Sequence, residues 1–177
     1  MSDGPADPPL HHDPAVAAVG RALARHGYEV TADVLDGLPV VVGRRSDFRL
    51  RWMAVRLQTF VVVARFRTDH VAVSGPVLDR FLDAACAYAA GHKGGLPRGL
   101  QTGTAAVAVA VVDSGAGDAA TWAGHPHGRR FAAMAYPVAV EVPAGRVVHP
   151  PRLVVGAVFN GHLRRVAEEV VGPALRD

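Results

Sequence analysis

Apolar residues first fall into a helical rhythm at Val16, Val19 and Leu23, between Asp13-Pro14 and Gly27. An N-cap acceptor followed by proline at the first helical position, with glycine beyond the last periodic residue, predicts a helix over 14–26. From Tyr28 to Phe66 the pattern shortens to β-rich runs with turn signals at Asp36-Gly37 and over 44–47, so three or four antiparallel strands are expected. Phe48, Leu50 and Trp52 alternate there with Arg49, Arg51 and Met53. One face of that strand is expected to pack inward while the other presents guanidinium groups. A helix beginning at Asp47 is the competing assignment.

Ser74 and Pro76 open a second helix, with Leu78, Phe81, Leu82, Ala85, Cys86 and Ala89 on one stripe before Gly91. Over 104–112 Val107, Val109 and Val111 alternate with Ala106, Ala108 and Ala110. A strand apolar on both faces belongs in the middle of a sheet. A short helix over 118–123 leads to a strand over 131–142, in which Pro137 points to an edge or a bulge. After a turn at 143–145, residues 146–149 return as a strand. Val155, Val158, Phe159, His162, Val166 and Val170 mark a last amphipathic helix, weakened by Gly156 and Gly161.

This order lacks the regular alternation of a doubly wound fold. It predicts an α+β layer sandwich, a mostly antiparallel mixed sheet packed against about three helices. With 177 residues, 50% apolar and 20% charged, the chain has one domain's worth of sequence. Residues 1–12, holding Pro5, Pro8, Pro9, His11 and His12, are expected to form a flexible tail before a single domain over 13–177. The uninterrupted apolar run 105–112 is far short of a membrane span. The first thirteen residues carry three aspartates and no Lys or Arg, unlike a signal or transit peptide, so a cytoplasmic location is expected. The lone Cys86 permits no intrachain bridge and suits a core position.

The inventory is skewed, with no Ile, one Lys and 18 Arg. The one lysine stands in the most unusual segment, His92-Lys-Gly-Gly-Leu-Pro-Arg-Gly-Leu-Gln-Thr-Gly103. Gly94 and Gly95 allow close backbone approach, Lys93 and Arg98 supply charge, and Gln101 and Thr102 supply neutral hydrogen-bonding groups. These six residues are the candidate site for an anionic or phosphate-bearing small molecule. The segment joins a helix end to a strand, the reverse of the usual phosphate loop, and fits neither the Walker nor the dinucleotide spacing. A rigid connection with Lys93 in solvent is the plainer alternative.

Charge is also segregated. Residues 44–67 carry a net +6 against +3 for the whole chain. Arg44, Arg45, Arg49, Arg51 and Arg56 therefore form an alternative, nucleic-acid-binding face, with Phe48 and Trp52 expected in the core. No helix-turn-helix, RNP or zinc-finger pattern accompanies it. His125 and His127 lack the Cys or carboxylate partners of a zinc site, and His162, on the apolar stripe, suits a core histidine with its hydrogen bonds made. No nucleophile-and-base motif is present, Asp79 and Asp83 suit a solvated helix face, and nothing forces Asp33, Asp36 and Glu141 together. The expectation is a binding domain without catalytic residues, metal or cofactor. Its partner is a small anionic ligand or a protein, and its Ala- and Val-rich faces suit self-association.

Overall fold

A computed structural model of the chain describes residues 13–48, 56–67, 73–94, 102–113, 117–142, 144–153 and 156–175. Helix α1 (Pro14–Arg25) begins where the sequence places it. Asp13 Oδ1 accepts hydrogen bonds from the Ala15 and Val16 amides at 3.0 and 3.1 Å, meeting two of the donors that a helix start leaves open. Strands β1 (Glu29–Leu35) and β2 (Leu38–Phe48) form a hairpin closed by Asp36 and Gly37, both at positive φ, as its two-residue turn demands.

Residues 44–47 do not turn. The antiparallel ladder to β3 (Arg56–Phe66) runs unbroken from Val40 opposite Ala64 to Phe48 opposite Arg56. Their polarity has another cause, since Arg45 and Asp47 share one face and bind each other there, Nε to Oδ2 at 2.8 Å and Nη2 to Oδ1 at 2.9 Å. The competing helix from Asp47 is excluded for Asp47 and Phe48.

From β3 the chain crosses through α2 (Gly75–Gly91) into parallel β4 (Thr102–Val112), then through α3 (Gly117–Gly124) into parallel β6 (Ala133–Glu141). Short strands β5 (Arg129–Arg130) and β7 (Arg146–Val148) pair antiparallel with β6. The order β1-β2-β3-β4-β6-β5, with β7 also on β6, makes a mixed sheet with two parallel pairs at its centre and antiparallel pairs around them.

Both faces are covered, giving the α+β sandwich. Val107, Val109 and Val111 of β4 share one core with Val16, Val19 and Leu23 of α1, while Ala106, Ala108 and Ala110 meet the stripe of α2. Alanine on that face lets the helix lie close to the sheet. Pro137 sits where β6 has no outer partner. The Ala135 amide bonds outward to the Gly128 carbonyl, so the backbone nitrogen two residues on also points outward, between β5 and β7.

The last segment departs from one amphipathic helix. A 3₁₀ turn (Ala157–Phe159) precedes α4 (Asn160–Arg165), followed by π-helical turns (Val166–Val171) and a second 3₁₀ turn (Pro173–Leu175). The opening turn is tighter than an α-helix, so Phe159 faces the core and Val158 is 50% exposed. Val155 lies outside the described residues.

Candidate anion-binding site

Strands β3 and β4 start side by side, Arg56 opposite Thr102, and β2 ends beside them, Phe48 opposite Arg56. The segment leaving α2 arrives at this same end of the sheet. Its entry is fixed by Gln58, a β3 side chain only 3% exposed. Gln58 Oε1 accepts from the Gly94 amide at 3.0 Å and Gln58 Nε2 donates to the Gly94 carbonyl at 3.4 Å. A buried amide side chain thus treats one glycine as a further strand would, which meets its own hydrogen-bonding need.

Arg44 completes the corner. It faces the α2 side of the sheet because it pairs with Phe60, and its guanidinium lies 5.8 Å from the centre of that ring. Glu29 stands opposite it on β1, yet Arg44 makes no ion pair with Glu29 and turns instead toward Gly94. A Cβ on Gly94 would come within 3.0 Å of Arg44 Nη2. Lys93, next to Gly94 in the chain, and Arg56, two residues before Gln58 on β3, are both exposed. Among the described residues no carboxylate pairs with Arg44, Arg56 or Lys93.

The carbonyl-rich end of α2 does not absorb these cations. Its last turn is closed by His92, whose backbone amide and Nδ1 both lie 2.9 Å from the Tyr88 carbonyl, with the two rings stacked at 3.9 Å. Tyr88 itself is held above its ordinary pKa, first by burial and then by Asp33, against the opposing pull of Arg44.

The residues picked out in the sequence divide as follows. Gly94 lies against Arg44 and Gln58, Lys93 precedes it in the chain, and Arg56 is two residues from Gln58 on the same face of β3. Thr102 is placed there by its backbone. Gly95, Arg98 and Gln101, and likewise Arg49 and Arg51, lie outside the described residues. Arg45 does not share a face with Arg44. Adjacent positions on a strand point to opposite sides, and Arg45 is spent on Asp47, on the His26 carbonyl at 2.7 Å and on the Tyr28 ring at 4.8 Å. Phe48, expected in the core, is 51% exposed. Gln58 and the role of Arg44 at Gly94 were not foreseen, and only the strand register reveals them.

The other polar clusters are closed on themselves. His162 is 3% exposed, with Nε2 3.3 Å from Thr59 Oγ1 and 3.7 Å from Asp47 Oδ2. Both of these partners meet the same ring nitrogen. A pocket of about 60 Å³ beside it, lined by His26, Tyr28, Arg45 and His162 among others, has room for a few waters. His149 does bridge with both nitrogens, from Glu168 at 3.2 Å to the Tyr136 hydroxyl at 3.1 Å, but Tyr136 is fully buried.

Asp79 and Asp83 are not merely solvated, since both reach Arg130, at 3.5 and 2.6 Å. Glu141 lies four strand spacings from Asp33, roughly 19 Å, so these acids form no cluster. His125 and His127 are taken up by the Thr121 and Trp122 carbonyls. Among the described residues no group of His, Cys, Asp or Glu is arranged to hold a metal, and no helix is long and apolar enough to cross a membrane.

No protein-family model, no curated protein and no solved structure matches this chain.

Proposed function

We propose that residues 13–177 form a cytoplasmic, non-catalytic binding domain whose ligand is a phosphate-bearing anion seated where Gly94 lies against Arg44, with Lys93 and Arg56 on either side. One observation carries the reading: Arg44 is half-buried and has a glutamate opposite it, yet among the described residues its guanidinium has no carboxylate partner and lies over the Phe60 ring beside Gly94. A desolvated cation without a carboxylate is costly unless another anion completes it. Lys93 and Arg56 add charge at the same corner, and Gly94 leaves the space beside Arg44 clear. Gly95, Arg98 and Gln101 belong to the proposed site by sequence alone, and Thr102 by sequence and its backbone position opposite Arg56. Binding rather than turnover is supported by Thr59 and Tyr136, which among the described residues set a hydroxyl against an imidazole and are both sealed from solvent.

The test is a titration of the full chain with inorganic phosphate and pyrophosphate, followed through backbone amide resonances. Saturable shifts at Lys93 and Gly94 that vanish in Lys93→Ala and Arg44→Ala are expected. Shifts absent from the wild type, or unchanged in both variants, would remove the proposal.

A further inference from the structure

The anion corner does not end at its cations. Among the described residues the exposed large apolar side chains are Val34, Phe48, Phe131 and Val158, and both phenylalanines lie at this end of the sheet. Phe48 is the last residue of β2, opposite Arg56, which is opposite Thr102. Phe131 forms the turn between β5 and β6, two residues before Ala133, where β6 starts beside β4. Three strand spacings of ~4.8 Å separate β2 from β6, which sets the two phenylalanines about 14 Å apart across the strands. Arg56 lies between them on β3, while Arg44 stands four residues back from Phe48 on β2 and Lys93 precedes Gly94, which lies against Arg44.

Phe131 is also held there against its own preference. Arg130 pairs with Ala133, so the turn has only two residues, and Phe131 and Ala132 sit at φ +51° and +62°. Such turns favour Asn and Gly, and a phenylalanine in the left-handed region is a costly choice. Its ring is 59% exposed, so core packing does not repay that cost. Strain retained at an exposed aromatic points to use of the ring at the surface.

Resting on the reading above, we propose that the anion is a single-stranded nucleic acid, its phosphates met by Arg44, Arg56 and Lys93 and its bases stacked on Phe48 and Phe131. Exposed aromatic rings flanking unpaired cations are what a flexible phosphodiester strand needs, because every base offers a face for stacking whatever its sequence. At the ~3.4 Å charge spacing of a stacked strand, the distance between the rings covers about four nucleotides. A duplex hides its base faces and would gain only the charge contacts. This surface differs from a purely arginine-lined strand face, since Arg45 has no part in it and Phe48 does.

The experiment measures fluorescence anisotropy of labelled twelve-residue single strands and of the matching duplex with the full chain over a range of salt. Binding of the single strand over the duplex is expected, with a slope of log K against log salt near −2 for three phosphate contacts. Phe48→Ala and Phe131→Ala should each weaken binding about tenfold with that slope unchanged. Lys93→Ala should flatten the slope. Phe131→Gly separates use from folding, because it relieves the turn and should raise the melting temperature while it weakens binding.

Equal affinity for duplex, or full affinity in both phenylalanine variants, would overturn the proposal. So would Phe-dependent binding to phosphatidylserine vesicles with none to the oligonucleotide. If the strand does not bind while phosphate still shifts Lys93 and Gly94, the nucleic-acid assignment falls and the anion site stands. If neither binds, both fall.

Discussion

The guanidinium of Arg44 stands 3.0 Å from the point where a Cβ on Gly94 would lie, so a β2 side chain and the exit from α2 compete for one small volume. The nearer obstacle is the end of a flexible side chain, which can swing away. Gly94→Ala should therefore cost little stability, about 0.5 kcal/mol or less. Arg44 would be displaced, and phosphate affinity should fall severalfold. Calorimetric titration beside a urea melt checks both; a variant that unfolds yet still binds would contradict this account.

Gly156 presents the opposite case. Its φ is +80°, and a Cβ there would collide with the Met134 sulfur, a side chain only 6% exposed. Left-handed strain and overpacking together predict that Gly156→Ala destabilises the protein by about 2–4 kcal/mol. Met134→Ala alone removes buried volume and should cost about 2–5 kcal/mol. Since the added methyl would occupy space that the smaller residue vacates, the double variant should lose less than the sum. Additive losses in denaturant melts would show that the collision is not the cause.

Cys86 is fully buried, and burial pushes its thiol up to about 12, the nearby Arg130 opposing and Asp83 adding slightly. The native thiol should resist a disulfide reagent at pH 8 and react only as the chain unfolds. The linkage follows from the raised value. Unfolded chains lose this proton near the ordinary 9.0 while the native state keeps it to about 12, so stability falls as pH rises through that interval. Tyr28, also raised to about 12 chiefly by burial, acts in the same sense above 10. Cys86→Ala should shallow the alkaline decline in melting temperature, and an unaltered slope would refute the assignment.

Glu141 is held below the ordinary carboxylate range by its hydrogen bonds to Arg146, at 3.0 and 2.6 Å. A depressed carboxylate stabilises the fold above its unfolded pKa and loses that contribution as pH falls through its native one. An Arg146→Gln variant should return the Glu141 titration, followed by NMR, to the usual range. The melting temperature should change little, because an exposed pair is strongly screened.

Local chemistry makes several elements legible in the sequence. Asp13-Pro14, the Asp36-Gly37 turn and the α2 stripe from Leu78 to Ala89 each act over a few residues, and each stands where its pattern puts it. The polar stretch 44–47 misled for the same reason. Read locally it resembles a turn, but Arg45 and Asp47 satisfy each other on one strand face. Phe131 and Ala132 gave no turn signal, since their conformation is imposed by the β5–β6 pairing and not by their own preference.

By itself the sequence determined the layers: alternation put valine on one face of β4 and alanine on the other, and helical periodicity supplied stripes to cover them. It also singled out Lys93 and Gly94 as unusual. Only the tertiary structure brought Arg44, 49 residues before Lys93, to the neighbouring glycine, divided it from Arg45, and set Phe48 level with Phe131. Strand register decides those meetings, and register is fixed by hydrogen bonds between segments far apart in the chain, which no short window of residues contains.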